Sequence, residues 1–287
     1  MGNFFRPSEY FKPTNLEEAV KLLARYGDKA GVIAGGTDVL ARRNPQIEAL
    51  IDITGLGLNY IKSGKRGLSI GATTVLTDIV ESPVLLDSPY RILCQAAGKV
   101  GTPLIRNLGT IGGNICNAGP SADTPTALLA LDAKLKLVSA RKSREVPLDE
   151  FFAGPFRTNK APDELLVEIE LPPLAPRTGT SYQYLGKITS IDETLAGVAV
   201  LIVMNGKTIK DARIALSSVA PVPMRARKAE EMLRGKEVKN GLVEEAARMV
   251  ASETRPRSRP EYRREMSGVL AGNTIREAIA RAKGAAV

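Results

Sequence analysis

No histidine and no tryptophan occur in the 287 residues. Without histidine there is no Ser-His-Asp triad, no Cys-His pair, and no imidazole-ligated zinc or haem. Any general acid or base must be Asp, Glu, Lys, Tyr or Cys. Difficult redox chemistry would have to come from a cofactor. Cysteine is scarce too, with only Cys94 and Cys116. Two thiols cannot hold an iron–sulfur cluster, which takes about four. They make no disulfide framework either, so a reducing cytoplasm fits. No apolar run reaches the ~18 residues of a membrane-spanning helix. Met1 to Pro13 carries no apolar stretch, so no secretory leader is expected. Aromatic residues are only 5%, which speaks against a base-stacking platform and against nucleic acid as a partner.

What is present is an ordinary globular balance: 44% hydrophobic and 25% charged residues, enough for a sizeable core. The net charge of +9 comes from 40 Lys and Arg against 31 Asp and Glu. It reads as a basic surface that keeps the protein dispersed, with nucleic acid, an anionic ligand or an acidic partner as further readings.

Residues 15–27 predict a helix, with Asn15 as N-cap, Glu18 three residues on and Gly27 at the C-terminal end. Short apolar runs predict strands at 31–34, 49–53 and 68–71, and helices are expected at 74–80 and 89–100. Gly101 to Pro125 is rich in Gly and Pro and has no clear period, so a long ordered loop with short strands is expected there. A helix at 124–130 and strands at 134–138 and 164–171 follow. Pro172-Pro-Leu-Ala-Pro176 is the best boundary. Beyond it, strands at 181–187, 196–204 and 209–217 precede helices at about 225–234, 241–253 and 263–283. The chain thus divides into 1–176, with lobes of about 1–55 and 56–176, and 177–287, a three-stranded antiparallel sheet with helices. The fold class is α+β.

Two segments could carry chemistry. Ala34-Gly-Gly-Thr-Asp38 follows a strand, and Gly109-Thr-Ile-Gly-Gly-Asn114 repeats the paired glycines. Paired glycines let successive backbone N–H groups converge on an anion. Each alone is also what a plain turn or glycine-rich loop would show. Together they suit the two phosphates of a dinucleotide. Neither is the G-x-G-x-x-G fingerprint, nor the phosphate loop ending in Gly-Lys-Ser/Thr.

The sequence resembles the FAD-binding subunits of the molybdenum hydroxylases, the xanthine dehydrogenase and carbon monoxide dehydrogenase family. The resemblance is carried by Ala34-Gly-Gly-Thr-Asp-Val-Leu40, Ile70-Gly-Ala-Thr-Thr74 and Ile105-Arg-Asn-Leu-Gly-Thr-Ile-Gly-Gly-Asn-Ile115. It continues through Pro120-Ser-Ala-Asp123, Leu131-Asp-Ala133, Phe151-Phe-Ala-Gly-Pro155, Asp163-Glu-Leu-Leu166, Val219-Ala-Pro-Val-Pro223 and Tyr262-Arg-Arg264. It runs in order along nearly the whole chain.

This resemblance implies a two-lobed FAD domain of the vanillyl-alcohol-oxidase (PCMH) type, followed by a small C-terminal domain. FAD would lie extended between the lobes. Ile33, Ala34, Gly35, Gly36, Thr37, Asp38 and Val39 would line its pyrophosphate and ribityl region. Gly101, Gly109, Thr110, Ile111, Gly112, Gly113 and Asn114 would meet it from the second loop. Asp123 would bind the adenosine end, and Leu165 and Leu166 would lie near a ring. Lys187 belongs to the same set. The match is loosest over Tyr182–Asp192, where Tyr184 stands where the family often has lysine and Lys187 replaces arginine. No histidine exists for a covalent flavin link. The resemblance further implies a small iron–sulfur subunit with a 2Fe–2S cluster, a large molybdopterin subunit, a heterohexamer, and NAD or a quinone as acceptor. A stand-alone flavin reductase of the same fold and a basic binding or assembly protein are the alternatives.

Other residues read plainly. Cys94 is expected in the core and Cys116 as a small side chain near the site. The Arg255–Arg259 and Arg263–Arg264 cluster reads as a solvated or docking surface. Asp192 and Glu193 are adjacent and point apart, so no catalytic pair is assigned.

Overall fold

The structure is a computed structural model that describes residues 5–186 and 194–284. Lys187, Asp192 and Glu193 fall outside the described residues.

The first lobe comprises β1 (Glu9–Phe11), α1 (Leu16–Tyr26), β2 (Ala30–Ile33), α2 (Val39–Arg42) and β3 (Ala49–Asp52). Its strands make a parallel sheet in the order β1-β3-β2. Asn15 caps α1, its Oδ1 accepting the Glu18 N–H at 2.9 Å. The Glu18 carboxylate accepts the N–H of Thr14 at 3.1 Å, one residue before the cap. One orphan donor of the first turn, the Glu18 N–H, is thereby satisfied, a cap worth about 1 kcal/mol. Gly27, at φ +53°, ends the helix. Ala19, Val20 and Leu23 form its buried stripe.

The second lobe begins with the hairpin β4 (Ile61–Gly64) and β5 (Gly67–Gly71). Six helices follow: α3 (Leu76–Glu81), α4 (Pro83–Leu86), α5 (Arg91–Ala97), α6 (Pro103–Arg106), α7 (Ile111–Asn117) and α8 (Asp123–Ala130). Then come β6 (Lys134–Val138), β7 (Ser143–Pro147), the small hairpin of β8 (Phe152–Gly154) and β9 (Arg157–Thr158), and β10 (Leu165–Leu171). An antiparallel sheet runs β4-β5-β10-β6-β7. Its central strand, β10, is buried on both faces. Leu165 and Val167 pack against Ala19, Val20 and Leu23 of α1, while Leu166, Ile169 and Leu171 join the second lobe's core. One strand therefore joins the two lobes: Leu165-Leu-Val167 is apolar on both faces, and the strand then alternates, with Glu168 and Glu170 half-buried.

The C-terminal part holds β11 (Thr178–Leu185), β12 (Ala196–Asn205), β13 (Thr208–Ser217), β14 (Met224–Arg225), α9 (Arg227–Leu233), α10 (Leu242–Glu253) and α11 (Pro260–Ala282). The antiparallel sheet β11-β12-β13-β14 has four strands rather than the expected three. The fourth, only two residues long, is too short for periodicity to show. β12 splits its side chains by parity. Val198, Val200, Ile202 and Met204 face the cluster under α9–α11, whereas Ala199, Leu201 and Val203 join the second lobe's core. Burying each such Val, Leu or Ile contributes about 1.5–3 kcal/mol. A buried ion pair pins the same junction: Arg225 binds Glu230 and also reaches Asp132 of the second lobe at 2.6 Å.

The segment 101–125 differs from expectation. It contains no strand, but the helices α6 and α7 and the start of α8. Two adjacent glycines hide α7 from any propensity reading. It forms because Thr110 caps it, the Oγ1 accepting the Gly113 N–H at 3.1 Å, and because it packs on the turn after β5.

Candidate functional site

A cleft of about 430 Å³ opens between the lobes. Ala34 to Val39, Gly109, Thr110, Gly112, Gly113, Asn114, Leu165 and Leu166 all line it. Two glycine segments 75 residues apart in sequence thus meet around one space. Contact between the two segments is direct. A Cβ on Gly35 would stand 1.8 Å from the Leu108 carbonyl oxygen, so only glycine fits. Gly36 has φ +73°, a conformation glycine adopts without strain.

The N–H groups of Gly35, Gly36, Thr37, Asp38 and Val39 find no acceptor among the described residues. Backbone donors are rarely left without a partner in a folded chain. A row of them bordering a cleft is an anion-binding concavity. Beside it, the Asp38 carboxyl accepts no hydrogen bond from the described residues, and burial raises its pKa while the Arg42 charge opposes the shift.

The second segment is built differently, which corrects the picture of two matching cradles. The N–H groups of Ile111 and Gly112 go to the carbonyls of Thr74 and Ala72, and that of Asn114 to Thr110, each at 2.9 Å. Gly113 donates to the cap. The first turn of α7 therefore has no free backbone donor. Its glycines serve approach instead. A Cβ on Gly112 would meet the Ala72 carbonyl oxygen at 2.6 Å, whereas one on Gly113 would meet only Thr110 Oγ1 at 2.9 Å and otherwise enter open space. Asn114 Oδ1 accepts from Thr124 Oγ1 at 2.6 Å, which leaves the amide nitrogen without a partner among the described residues.

Four expected residues do not line the cleft: Ile33, Gly101, Ile111 and Asp123. Ile111 is core. Asp123 is buried at the junction with the C-terminal sheet, accepting from Tyr182 Oη at 2.5 Å and Thr194 Oγ1 at 2.9 Å. Burial pushes its pKa up to about 6, against the pull of these two hydroxyls and of Lys99.

The cleft also recruits residues that sequence reasoning missed. Leu76, Val100 and Ile105 add apolar wall, and Arg42, Asn44, Asn117 and Lys160 add polar groups. Arg42 follows the first glycine segment closely and could have been found by extending that motif. Lys160 comes from a distant loop and left no signal. Cys116 lines the cleft as expected of a small side chain near the site. Burial raises its thiol to about 11 although Lys160 opposes this, so it is no nucleophile at neutral pH. Cys94 is core. Within the arginine cluster, Arg263 is structural, donating to the carbonyls of Leu195 and Ser218 at 2.8 and 2.6 Å. No group of three or more Cys, Asp or Glu side chains that could hold a metal occurs among the described residues. None of their helices is long and apolar enough to cross a membrane.

Such a site binds and orients; it presents no nucleophile with an adjacent base. Residues 5–174 match the family model described as the FAD binding domain in molybdopterin dehydrogenase. The chain belongs to this family. Residues 185–278 match the CO dehydrogenase flavoprotein C-terminal domain. The carbon monoxide dehydrogenase medium chain of Hydrogenophaga pseudoflava is 34% identical, with 95% of this chain and 97% of that one covered. A glyceraldehyde dehydrogenase medium chain of Sulfolobus acidocaldarius is 35% identical, covering 93% and 97%. A putative xanthine dehydrogenase FAD-binding subunit of Escherichia coli is 31% identical, covering 96% and 98%. The solved carbon monoxide dehydrogenase of H. pseudoflava, in a form lacking the Mo-pyranopterin moiety, superposes with a TM-score of 0.91 over 96% of this chain and 98% of that one. FAD, an oxidoreductase role and the two-part α+β fold therefore hold as expected from the sequence.

Proposed function

We propose that this chain is the flavoprotein subunit of a molybdenum hydroxylase-type complex, relaying electrons from a partner's 2Fe–2S cluster to an external acceptor such as NAD or a quinone. FAD supplies the redox chemistry, taking electrons singly and releasing them as a pair. The chain's own task is to hold and orient it. The observation that carries the reading is the row of unpartnered N–H groups from Gly35 to Val39 beside a closed apolar wall. Those donors suit the pyrophosphate. The Asn114 amide nitrogen and the bare α-carbon face of Gly113 suit close approach from the other side. Ala34, Thr37, Asp38, Gly109, Thr110, Gly112, Leu165 and Leu166 complete the set. With no histidine in the chain, the binding is non-covalent.

In this reading 1–176 is the FAD domain and 177–287 the C-terminal domain. A small iron–sulfur subunit and a large molybdopterin subunit join it, two of each in a heterohexamer. Two unpaired cysteines favour a cytoplasmic setting. The test is affinity purification of the chain from its own cells, with electron paramagnetic resonance on what co-elutes. A stoichiometric partner with a reducible 2Fe–2S signal is the expected result. A chain that elutes alone, loaded with FAD and fully active toward an acceptor, contradicts the complex.

A further inference from the structure

One side chain of the cleft lining, Arg42, reaches from the first lobe to the second. Arg42 ends α2, three residues past the free N–H row. Its guanidinium stacks over the Phe156 ring, 4.4 Å from the centroid, and its Nη2 donates to the Asn117 carbonyl oxygen at 3.3 Å. Asn117 closes α7 and Phe156 sits in the turn between β8 and β9, so both belong to the second lobe. Among the described residues, no carboxylate lies within ion-pair distance of Arg42.

Phe156 is unusual in two ways. The ring is 53% exposed, although a phenylalanine gains by burial. It also holds φ +58°, left-handed backbone that disfavours a bulky side chain. The N–H of Phe156 donates to the Ala118 carbonyl at 2.8 Å, and Ala118 is itself left-handed at φ +50°. Strain of this kind persists where the surroundings hold it in place, and it gathers at ligand clamps and switch regions. Glycine would serve the turn better. The ring lies over Arg42 and beside Gly119.

We infer that Arg42 and Phe156 form a clasp across the polar end of the cleft, retaining the bound dinucleotide by slowing its release. The inference rests on the flavoprotein reading. A guanidinium face stacked on an aromatic ring gains from both charge and dispersion. Opening the cleft enough to free an extended ligand separates α2 from the β8–β9 turn and breaks this stack. The clasp therefore acts on the release rate more than on uptake.

The test is FAD release from the loaded chain, followed by the recovery of flavin fluorescence in the presence of a trap for free FAD. Phe156→Gly removes the ring and relieves the left-handed strain, so its melting temperature stays level or rises. Its FAD release accelerates at least five-fold. Arg42→Lys keeps the charge but loses the planar face, and accelerates release similarly. The double variant releases no faster than the faster single one, because both remove the same stack. Unchanged release in Phe156→Gly, or additive effects in the double variant, overturns the clasp while leaving the cofactor site standing. A parent chain that takes up no FAD overturns both.

Discussion

The backbone of Gly35 lies against the carbonyl of Leu108 with no room for a side chain between them. This contact holds residues 35–39, whose N–H groups find no acceptor among the described residues, in the same cleft lining as the first turn of α7. The two glycine segments are unlike in what they supply. One offers donors, and the other offers a bare face.

Substitution should separate these roles. Gly35→Ala places a carbon on the Leu108 backbone, which cannot swing aside, so both stability and FAD uptake fall. Gly112→Ala meets Ala72 and costs about 1–3 kcal/mol by overpacking. Gly113→Val meets only the Thr110 hydroxyl and then the open cleft. It keeps the fold while weakening FAD binding by roughly tenfold or more, about 1.4 kcal/mol. Thermal unfolding and FAD titration of the three variants check this. Wild-type affinity in a folded Gly113→Val chain would remove α7 from the site.

The buried Asp123 gives a pH signature. Its folded pKa of about 6 lies above the ordinary value near 3.9. A carboxyl of this kind holds more protons folded than unfolded. It favours the fold below about pH 4, and that contribution is lost as pH rises through about 6. Denaturant titrations of the FAD-free chain and of Asp123→Asn, from pH 4 to 7.5, isolate the effect. The parent loses stability relative to the variant across this window and levels off above it. A pH-independent difference would show that Asp123 carries no raised pKa.

The Arg225–Glu230 pair predicts a large loss of stability. The Glu230 side chain is fully buried and also accepts the Ile214 N–H at 2.9 Å and the Arg234 guanidinium at 3.1 Å. Glu230→Ala leaves Arg225, whose side chain is 5% exposed, with Asp132 as its one remaining carboxylate among the described residues, strips the Ile214 N–H of its acceptor, and costs about 3 kcal/mol. Urea unfolding with an unchanged m-value is the measurement. A loss under 1 kcal/mol would mean that water reaches the pair.

Much of this was legible beforehand, for local reasons. The α1 cap lies within four residues, and β12 announces itself as an apolar run because both its faces are buried. What escaped was decided at a distance. α7 hides behind Gly112 and Gly113 because its stability comes from Ala72 and Thr74, far from its own window. β14 is a strand only because β13 lies beside it. Lys160 and Leu76 join the cleft through the fold of the chain, with no motif of their own. Asp123 is outside the cleft lining and bonds Tyr182 at the junction with the C-terminal sheet.

The central claim is that Gly35 to Val39 and the face of α7 hold one FAD. Equilibrium titration of FAD into the chromophore-free chain, read by the quenching of flavin fluorescence, tests it most directly. Saturation at one FAD per chain, with Gly113→Val shifted to weaker binding and its fold intact, is the predicted result. A folded parent chain that leaves flavin fluorescence unchanged at saturating FAD would contradict it.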